Sequence, residues 1–281
     1  MAIIEVKDLS YSYGEEGEKN LRNVSFSVAK GEFVLLTGPS GCGKTTLCRC
    51  FNGLIPHFYG GKLEGSVTVA GQDVAAHAIH EIAPTVGFVF QNPENQLFAL
   101  TVERDVAFGL ENLGFQRDEV RKRVEWALDV VDMRGYRYAA PYELSGGQQQ
   151  RVAIASILAM QPDVLVLDEP TSFLDPLSSL KVFEILRRLN REFTMTVVLV
   201  EHRLDLVSGF VDRVMLMNDG QVVLDGEPRT ILSLEEAKMF GVGVPKIVRL
   251  FNLLKGEGFK FNQLPLTPQE ATRMLREALK P

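Results

Sequence analysis

The sequence lacks an apolar run long enough to cross a membrane. Its longest such run, VAIASILAM at residues 152–160, is about half the length that a transmembrane helix needs. The first residues, MAIIEVKDLS, contain acids where a signal peptide has a basic start and an apolar stretch. We therefore expect a cytosolic chain, and any role at a membrane requires another chain to supply the membrane part.

Cysteine is scarce as well, and acidic residues outnumber basic residues by 36 to 30. The three cysteines are Cys42, Cys48 and Cys50, and their spacing matches no usual zinc-binding pattern, so we expect reduced thiols. The formal net charge is −6, whereas a chain that binds nucleic acid usually presents a basic surface. These shortages argue against a disulfide scaffold, a metal site built on cysteine and a nucleic-acid partner.

The residues that are present alternate between strand-like and helix-like segments. This order predicts an α/β fold with a mainly parallel sheet, preceded by an antiparallel amino-terminal β region. Residues 101–160 are mostly helical in pattern, which indicates a helical subdomain at about 92–162 inserted in a domain of residues 1–233. The predicted strands lie near residues 3–13, 23–38, 65–74, 86–90, 163–168, 195–200, 213–217 and 221–224, and further helices near 43–52, 176–192 and 203–210.

A phosphate-binding loop is predicted at GPSGCGKT, where Gly38, Gly43, Lys44 and Thr45 have the required spacing. The motif follows the apolar strand EFVLLT and precedes a helix, as its mechanism demands. Backbone N–H groups of the loop cradle phosphates, Lys44 reaches the terminal ones, and the Thr45 hydroxyl ligates Mg²⁺.

Two acids end the apolar strand VLVLDEP. Ligands of parallel sheets bind at the carboxyl ends of strands, so these carboxylates face the same region as the phosphate-binding loop. We expect Asp168 to hold Mg²⁺ through water and Glu169 to act as the general base on an attacking water.

A second glycine-rich turn, LSGGQ, lies a hundred residues after the first. By itself it is a capping-box pattern, with Ser145 and Gln148 beginning a helix. His202 after the strand MTVVLV, and Tyr13 with Tyr11 in an early strand, have equally ordinary structural interpretations when each is taken alone.

The order of these motifs is more specific than any one of them. The phosphate-binding loop, Gln91 after a strand, LSGGQ, the strand ending in Asp-Glu, Leu174-Asp175 and His202 together resemble the nucleotide-binding subunit of ABC transporters over residues 3–230. The resemblance implies an ATPase in which two cassettes face each other head to tail. Each ATP then lies between the phosphate-binding loop of one cassette and the LSGGQ turn of the other.

The resemblance also implies a role for each matching residue. Tyr13 would stack on adenine, with Tyr11 as the alternative, and Asp175 would contact the opposing cassette. Phe173 departs from the family's usual small residue at the dimer seam. The expected catalytic residues are Glu169, His202 (on the γ-phosphate), Gln91 (sensing Mg²⁺ and water) and Lys44. The expected metal ligands are Thr45, Gln91 and Asp168. The expected nucleotide contacts are Tyr13, Gly38, Pro39, Ser40, Gly41, Cys42, Gly43, Lys44, Thr45, Thr46, Ser145, Gly146, Gly147, Gln148 and Asp175.

The segment FQNPENQLFA at residues 90–99 resembles the version found in ATPases of energy-coupling factor (ECF) transporters, which import vitamins and transition-metal ions. The resemblance implies a groove after Gln91 in which a cytoplasmic helix of a membrane-embedded scaffold subunit docks. We expect Leu97 and Phe98 to line this docking surface. The ATPase would then sit peripherally on the cytoplasmic face of the cell membrane, and a separate membrane subunit would bind the substrate.

Residues 234–281 lie beyond the cassette and predict two short amphipathic helices. Thr267, Pro268 and Glu270 form the start signal of the second helix. ECF ATPases carry a carboxyl-terminal dimerisation extension, and this tail is similar to one. The predicted apolar faces are Ile247, Leu250, Phe251 and Leu254 in the first helix, and Ala271, Met274, Leu275 and Ala278 in the second.

Other functions stay open on the sequence alone. The chain could serve a conventional ABC importer or exporter, in which case residues 92–98 carry no subfamily meaning. A soluble ABC protein without a transport role is disfavoured because the chain holds a single cassette and no long coiled-coil insertion. The sequence leaves open the transported substrate, and it leaves open whether the second cassette is an identical chain or a paralogue.

Overall fold

A computed structural model describes residues 1–14, 17–234, 237, 239–240 and 243–279. The strands in this part of the chain are β1 Ala2–Ser12, β2 Leu21–Ala29, β3 Phe33–Thr37, β4 Lys62–Val69, β5 Gln72–Asp73, β6 Val86–Val89, β7 Val164–Asp168, β8 Thr196–Val200, β9 Arg213–Asn218 and β10 Gln221–Gly226. The α-helices are α1 Lys44–Phe51, α2 Leu54–His57, α3 Ile79–Ile82, α4 Val102–Asn112, α5 Arg117–Val130, α6 Gly146–Leu158, α7 Pro176–Phe193, α8 Leu204–Val207, α9 Pro228–Ile231, α10 Lys246–Gly256 and α11 Pro268–Ala278.

The larger sheet has the strand order β10-β9-β3-β8-β7-β6. Its strands run parallel except for β10, which pairs antiparallel with β9. The smaller sheet has the order β2-β1-β4-β5 and is antiparallel. The expected mainly parallel sheet with an antiparallel amino-terminal region is therefore confirmed.

Alternate residues of the central strands enter two separate cores. Phe33 and Leu35 of β3 pack with the helices α4 to α7, whereas Val34 and Leu36 pack with α1 and the antiparallel sheet. Because both faces of the parallel sheet are covered, the central strands β3, β7 and β8 are apolar along almost their whole length. This is the reason that β3, β7 and β8 appear in the sequence as uninterrupted apolar runs.

The helices α4, α5 and α6 pack on one another within the range predicted for the helical subdomain. Among the described residues, no helix is both long and apolar enough to cross a membrane. The helix expected at 203–210 is shorter than predicted, since α8 ends at Val207. The three cysteines are free and buried.

The carboxyl-terminal helices pack on the cassette. Ser208 Oγ donates to the Leu266 carbonyl at 3.2 Å, and Arg229 forms an ion pair with Glu270 at 2.9 Å. The predicted apolar face of α10 is wrong in part, because the helix buries Val248 with Phe251 and leaves Leu250 exposed. In α11 the predicted Ala278 is likewise exposed, and Ala271 is the buried residue.

Candidate nucleotide-binding and hydrolysis site

The phosphate-binding loop connects β3 to α1, and its backbone excludes side chains at two positions. Gly38 has φ +146°, and a Cβ there would lie 2.1 Å from the Met217 carbonyl oxygen. Gly43 has φ +104°, and its Cβ would lie 2.6 Å from the Asn20 carbonyl oxygen. Only glycine fits such close approaches, so the loop takes one shape with its N–H groups at the start of a helix.

Lys44 lies inside this loop. Its side chain is almost fully buried, and its ammonium donates to the carbonyls of Gly38 at 2.9 Å and Pro39 at 2.7 Å. The loop therefore holds a positive charge against its own backbone, an arrangement suited to phosphate.

The Thr45 hydroxyl donates to Asp168 Oδ1 at 3.1 Å. This contact joins the first turn of α1 to the carboxyl end of β7. Burial raises the pKa of Asp168, and the Thr45 hydrogen bond opposes that rise. A hydroxyl and a carboxylate in contact beside a phosphate-binding loop are the oxygen donors that Mg²⁺ prefers, so these residues fit a magnesium ion.

Glu169 is the centre of a polar cluster at the end of β7. Its backbone is left-handed, with φ +48°, a conformation that is uncommon for a residue other than glycine. Oε2 accepts from Gln91 Nε2 at 3.0 Å and from Ser172 Oγ at 3.0 Å, and Oε1 lies 2.8 Å from His202 Nε2. The fold thus brings Gln91 and His202 into contact with Glu169, and these three predicted catalytic residues come from three separate strand ends.

The tyrosines predicted to meet adenine differ in their surroundings. Tyr11 is buried, and its hydroxyl donates to the Gly60 carbonyl at 2.9 Å, so its ring is part of the core. Burial raises its pKa to about 12. Tyr13 is 40% exposed, and its hydroxyl lies 3.2 Å from Thr46 Oγ1 beside the phosphate-binding loop. Tyr13 is therefore the more accessible of the two rings.

The LSGGQ turn begins α6. Ser145 is the N-cap residue: its hydroxyl accepts from the Gln148 N–H at 3.4 Å, and Gln148 Oε1 accepts from the Ser145 N–H at 2.8 Å. The turn packs on the segment after Glu169, since a Cβ on Gly147 would lie 2.9 Å from Ser178. A cavity of about 240 Å³ between these elements is lined by Gln91, Gly146 and Phe173, among others.

Asp175 caps α7. Its carboxylate accepts from the N–H groups of Leu177 and Ser178 at 2.9 Å and 3.0 Å, and hydrogen bonds from Ser178 hold the pKa of Asp175 below its usual range. Phe173, two residues earlier, is 71% exposed. The contacts that the sequence predicts for Asp175 and for this seam with a second cassette stay predictions.

A family profile described as "ABC transporter" matches residues 21–172, which is more than half of the sequence. The chain belongs to the ABC transporter family. It is an ATP-hydrolysing cassette, and cassettes of this family bind ATP.

Curated relatives of this ABC cassette include archaeal proteins. It is 44% identical over 279 residues to a putative ABC transporter ATP-binding protein of Pyrococcus horikoshii, covering 99% of this chain and 98% of the relative. It is 40% identical over 283 residues to the energy-coupling factor transporter ATP-binding protein EcfA of Methanococcus maripaludis, covering 100% and 99%. A putative ABC transporter ATP-binding protein of Methanosarcina mazei is 45% identical over 282 residues, but all of this chain spans only 47% of that relative.

Solved structures of similar fold include two ABC cassettes. CbiO1 of Clostridium perfringens, described as part of the ABC transporter complex CbiONQ, aligns with a TM-score of 0.77 and 33% identity, covering 89% of this chain and 99% of that one. The cassette MJ0796, in a dimeric post-hydrolysis state with ADP and Pi, aligns with a TM-score of 0.69 and 32% identity, covering 80% and 99%.

One predicted contact residue of this ABC cassette does not have the expected exposure. Leu97 is half-buried and packs against the helical core, whereas Phe98 is 65% exposed. The reason is that the chain turns at Pro93–Asn95, and the Phe98 N–H then donates to the buried Asp105 at 3.0 Å. Leu100, which is 72% exposed, is the leucine that this segment presents at the surface.

Sequence reasoning missed four polar residues around the site. Arg49 donates to the Tyr13 hydroxyl at 3.1 Å and stacks on a neighbouring ring, and Ser172 contacts Glu169. Glu201 and Arg203 lie on either side of His202 and bond to the segment after Glu169. A charged residue directly after a fully apolar strand, as in VVLVEHR, was the signal available for Glu201.

Proposed function

We propose that this cassette is the ATPase subunit of an ECF-type importer of a vitamin or a transition-metal ion, and that it works on the cytoplasmic face of the cell membrane. The relatives named as EcfA and as part of CbiONQ support this assignment. So does the segment at residues 90–99, which connects the hydrolysis site to an exposed groove on the helical part.

The phosphates of ATP bind to the N–H groups of the phosphate-binding loop and to Lys44. Their oxygens replace the carbonyls of Gly38 and Pro39 as partners of the Lys44 ammonium. Thr45 and Asp168, with Gln91, hold Mg²⁺, which neutralises phosphate charge when bound. Tyr13 stacks on the adenine ring, and its contact with Thr46 keeps it beside the loop.

Glu169 accepts a proton at its carboxylate from the water that attacks the γ-phosphate. Gln91 donates to one oxygen of this carboxylate and His202 contacts the other, so the two residues orient the base. We propose that His202 also contacts the γ-phosphate of the bound nucleotide.

Hydrolysis at this site requires a second cassette. The Ser145–Gln148 turn packs against Ser178 on its own chain, and its helix start faces outward as a ready anion site. Dimers of the similar cassette MJ0796 support pairing in this family. The exposed Leu250 and Leu253 of α10 provide further apolar surface for a second copy or a paralogue.

A groove of about 1040 Å³ lies between α4 and α5 and carries the coupling step. Leu100, Arg104 and Tyr138 are among its lining residues, and Phe98 lies beside it, packed edge-to-face on Phe108 at 4.7 Å between ring centroids. Charged residues of both signs make up about half of the groove lining, and the exposed apolar groups Leu100 and Phe98 lie at one end of it. A surface of this mixed character suits an amphipathic helix of a membrane scaffold subunit.

The segment between the hydrolysis site and this groove is fixed at both ends. Gln96 Oε1 accepts from the Phe90 N–H at 3.2 Å, next to Gln91, and Asp105 accepts from the Phe98 and Ala99 N–H groups at 3.0 Å. Movement at Gln91 during the ATP cycle is therefore passed to the groove. This rigid connection is the observation that carries the proposal.

The test is Phe98→Ala, with Phe58→Ala as the matched control. Both phenylalanines are mostly exposed and each has one edge-to-face aromatic partner, but Phe58 lies outside the helical part. Loss of an aromatic anchor should weaken binding to a co-expressed ECF scaffold subunit by ~30-fold, the effect of a hot spot of about 2 kcal/mol. Nucleotide binding and the thermal melt should stay unchanged.

Binding is measured by affinity capture of the solubilised scaffold subunit on each variant. If Phe98→Ala binds as well as Phe58→Ala does, the groove is not the docking site. The cassette then belongs with a conventional ABC transporter, and residues 92–98 carry no subfamily meaning.

A further inference from the structure

Glu201 is a buried carboxylate directly after strand β8, with an exposed fraction of 1%. One of its oxygens, Oε1, accepts from the backbone N–H groups of His202 at 2.9 Å and Arg203 at 3.1 Å. The other oxygen accepts from the Thr171 hydroxyl. The carboxylate thus fixes the backbone that carries His202 and bonds it to the segment that follows Glu169.

Arg203 makes the same connection from the other side of His202. Its guanidinium donates to the Leu174 carbonyl at 2.9 Å, to Ser179 Oγ at 2.7 Å and to the Thr171 carbonyl. Its Nε lies 3.9 Å from Glu201 Oε1. The planar fork of an arginine can bridge several fixed acceptors at once, which a lysine cannot do.

The loop held in this way, residues 171–175, touches the hydrolysis site and reaches the expected dimer seam. Ser172 donates to Glu169 within the loop, and Asp175 ends the loop as the cap of α7. A buried carboxylate is costly unless its partners are complete, and here both oxygens are satisfied. Glu201 and Arg203 therefore hold His202 and the loop 171–175 together, so that the two are expected to move as one unit.

We propose that Glu201 and Arg203 are positioning residues that clamp His202 to the loop 171–175, so that docking of a second cassette against Asp175 sets the position of His202 on the γ-phosphate. This inference rests on the roles proposed above for His202 and Asp175. Neither Glu201 nor Arg203 touches the nucleotide, and both act through the histidine between them.

A double-mutant cycle of Arg203→Met and His202→Ala tests the clamp. Arg203→Met keeps the length of the side chain but removes its donors to the loop. It should lower kcat by ~10-fold while KM changes by less than ~3-fold, an effect within the range of coupled neighbours. Affinity for ADP, which has no γ-phosphate, should not change. In the His202→Ala background, Arg203→Met should lower kcat by no more than ~2-fold, because the residue through which it acts is gone.

Arg188→Met is the control for a purely structural loss. Arg188 is also half-buried and donates to a backbone carbonyl, that of Val130, away from the hydrolysis site. Any fold-loss in kcat caused by Arg188→Met should be the same in the parent and in the His202→Ala background, because the two residues act independently. If Arg203→Met lacks a cooperative melt, Arg203→Lys replaces it and should show the same non-additivity with a loss of ~3-fold.

The outcomes separate the two proposals. Two results would show that the clamp is wrong while the proposed function stands, provided that His202→Ala is slow. Either Arg203→Met hydrolyses ATP at the parental rate, or the fold-loss in kcat of the double variant equals the product of the losses of the two single variants. If His202→Ala itself keeps the parental rate, then both the role of His202 and the clamp are wrong.

Discussion

The two glycine-rich turns of this cassette use glycine for different physical reasons. In the phosphate-binding loop, Gly38 and Gly43 have positive φ values and lie against backbone carbonyls, so a side chain is excluded by conformation and by space together. In the LSGGQ turn, Gly146 and Gly147 are the first residues of helix α6 and have an ordinary helical backbone. There the constraint is packing alone, since a Cβ on Gly147 would meet Ser178.

This difference indicates how complete each turn is by itself. The phosphate-binding loop is shaped by its own chain and already holds the Lys44 ammonium at its centre. The LSGGQ turn is a capped helix start, and Ser145 and Gln148 satisfy each other's backbone N–H groups. The first turn can bind phosphate within a monomer, whereas we expect the second to bind it only when another cassette brings a nucleotide.

Separating the two turns by mutation gives the largest expected effect. Lys44→Ala should weaken ATP binding directly, and Ser145→Arg should leave binding to the monomer intact; either change should abolish measurable hydrolysis in a homodimer. A mixture of the two inactive variants forms one site with Lys44 and Ser145 both intact. ATPase activity should then recover in part. If mixed dimers are demonstrated and stay inactive, the two turns do not share a nucleotide.

Removal of the base leaves both turns unchanged. Glu169→Gln keeps the size of the side chain and one of its two acceptor oxygens but cannot accept the proton of water. Turnover should fall by at least ~100-fold, the lower end of the contribution of a general base. ATP binding, followed by equilibrium dialysis, should match that of the parent. A rate near the parental value would show that another group is the base.

Alanine substitutions at the glycines test the difference between the two turns through the free energy of unfolding. Gly38→Ala forces a Cβ against the Met217 carbonyl and should destabilise the fold by about 3 kcal/mol or more. Gly41→Ala has open space but a positive φ of +79°, so we expect a loss of about 1–2 kcal/mol. At Gly147 the gain in helix propensity offsets the contact with Ser178, and the variant should stay within about 1 kcal/mol of the parent.

These free energies are obtained from urea unfolding in the absence of nucleotide. The three variants should rank in the order given, with Gly38→Ala the least stable. If Gly147→Ala is as unstable as Gly38→Ala, both turns depend on backbone shape and the distinction between them is lost.

The smallest expected change in stability is that caused by replacing Asp168. Burial raises its pKa, so the carboxylate stabilises the folded state only when protonated, and that contribution is lost as the pH rises through the folded-state pKa. Asp168→Asn should therefore raise the melting temperature at pH 7, and the difference should shrink as the pH falls towards the usual aspartate range. The variant should lose Mg²⁺-dependent hydrolysis. A lower melting temperature at pH 7 would contradict this assignment.

The sequence predicts the fold well where one physical rule acts alone. The apolar runs of β3, β7 and β8 predict buried parallel strands, and the phosphate-binding loop follows from a motif whose spacing depends on its mechanism. The close contact of Glu169, Gln91 and His202 follows from the rule that strands of a parallel sheet present their carboxyl ends at one edge. The structure adds the hydrogen-bond distances between these side chains and the further partner Ser172.

The sequence fails where tertiary contacts decide between equal patterns. Strict alternation does not distinguish Tyr11 from Tyr13, and the two rings do pack edge-to-face at 4.9 Å between centroids. Because β1 ends at Ser12, however, Tyr11 lies in the core whereas Tyr13 is 40% exposed. In α10 the packing partner selects the face with Val248 rather than Leu250. The bonds of Glu201 and Arg203 join segments about thirty residues apart, and no local pattern predicts them.

The alternation of side chains across the parallel sheet has a consequence for evolution. Among the residues that the structure describes, the core that supports α1 and the antiparallel sheet shares no buried residue with the core beneath the groove and the carboxyl-terminal helices. Substitutions at well-separated sites without shared partners act independently on stability. The surface that meets other subunits can therefore diverge and adopt new partners while the side of the sheet that supports the phosphate-binding loop is inherited unchanged.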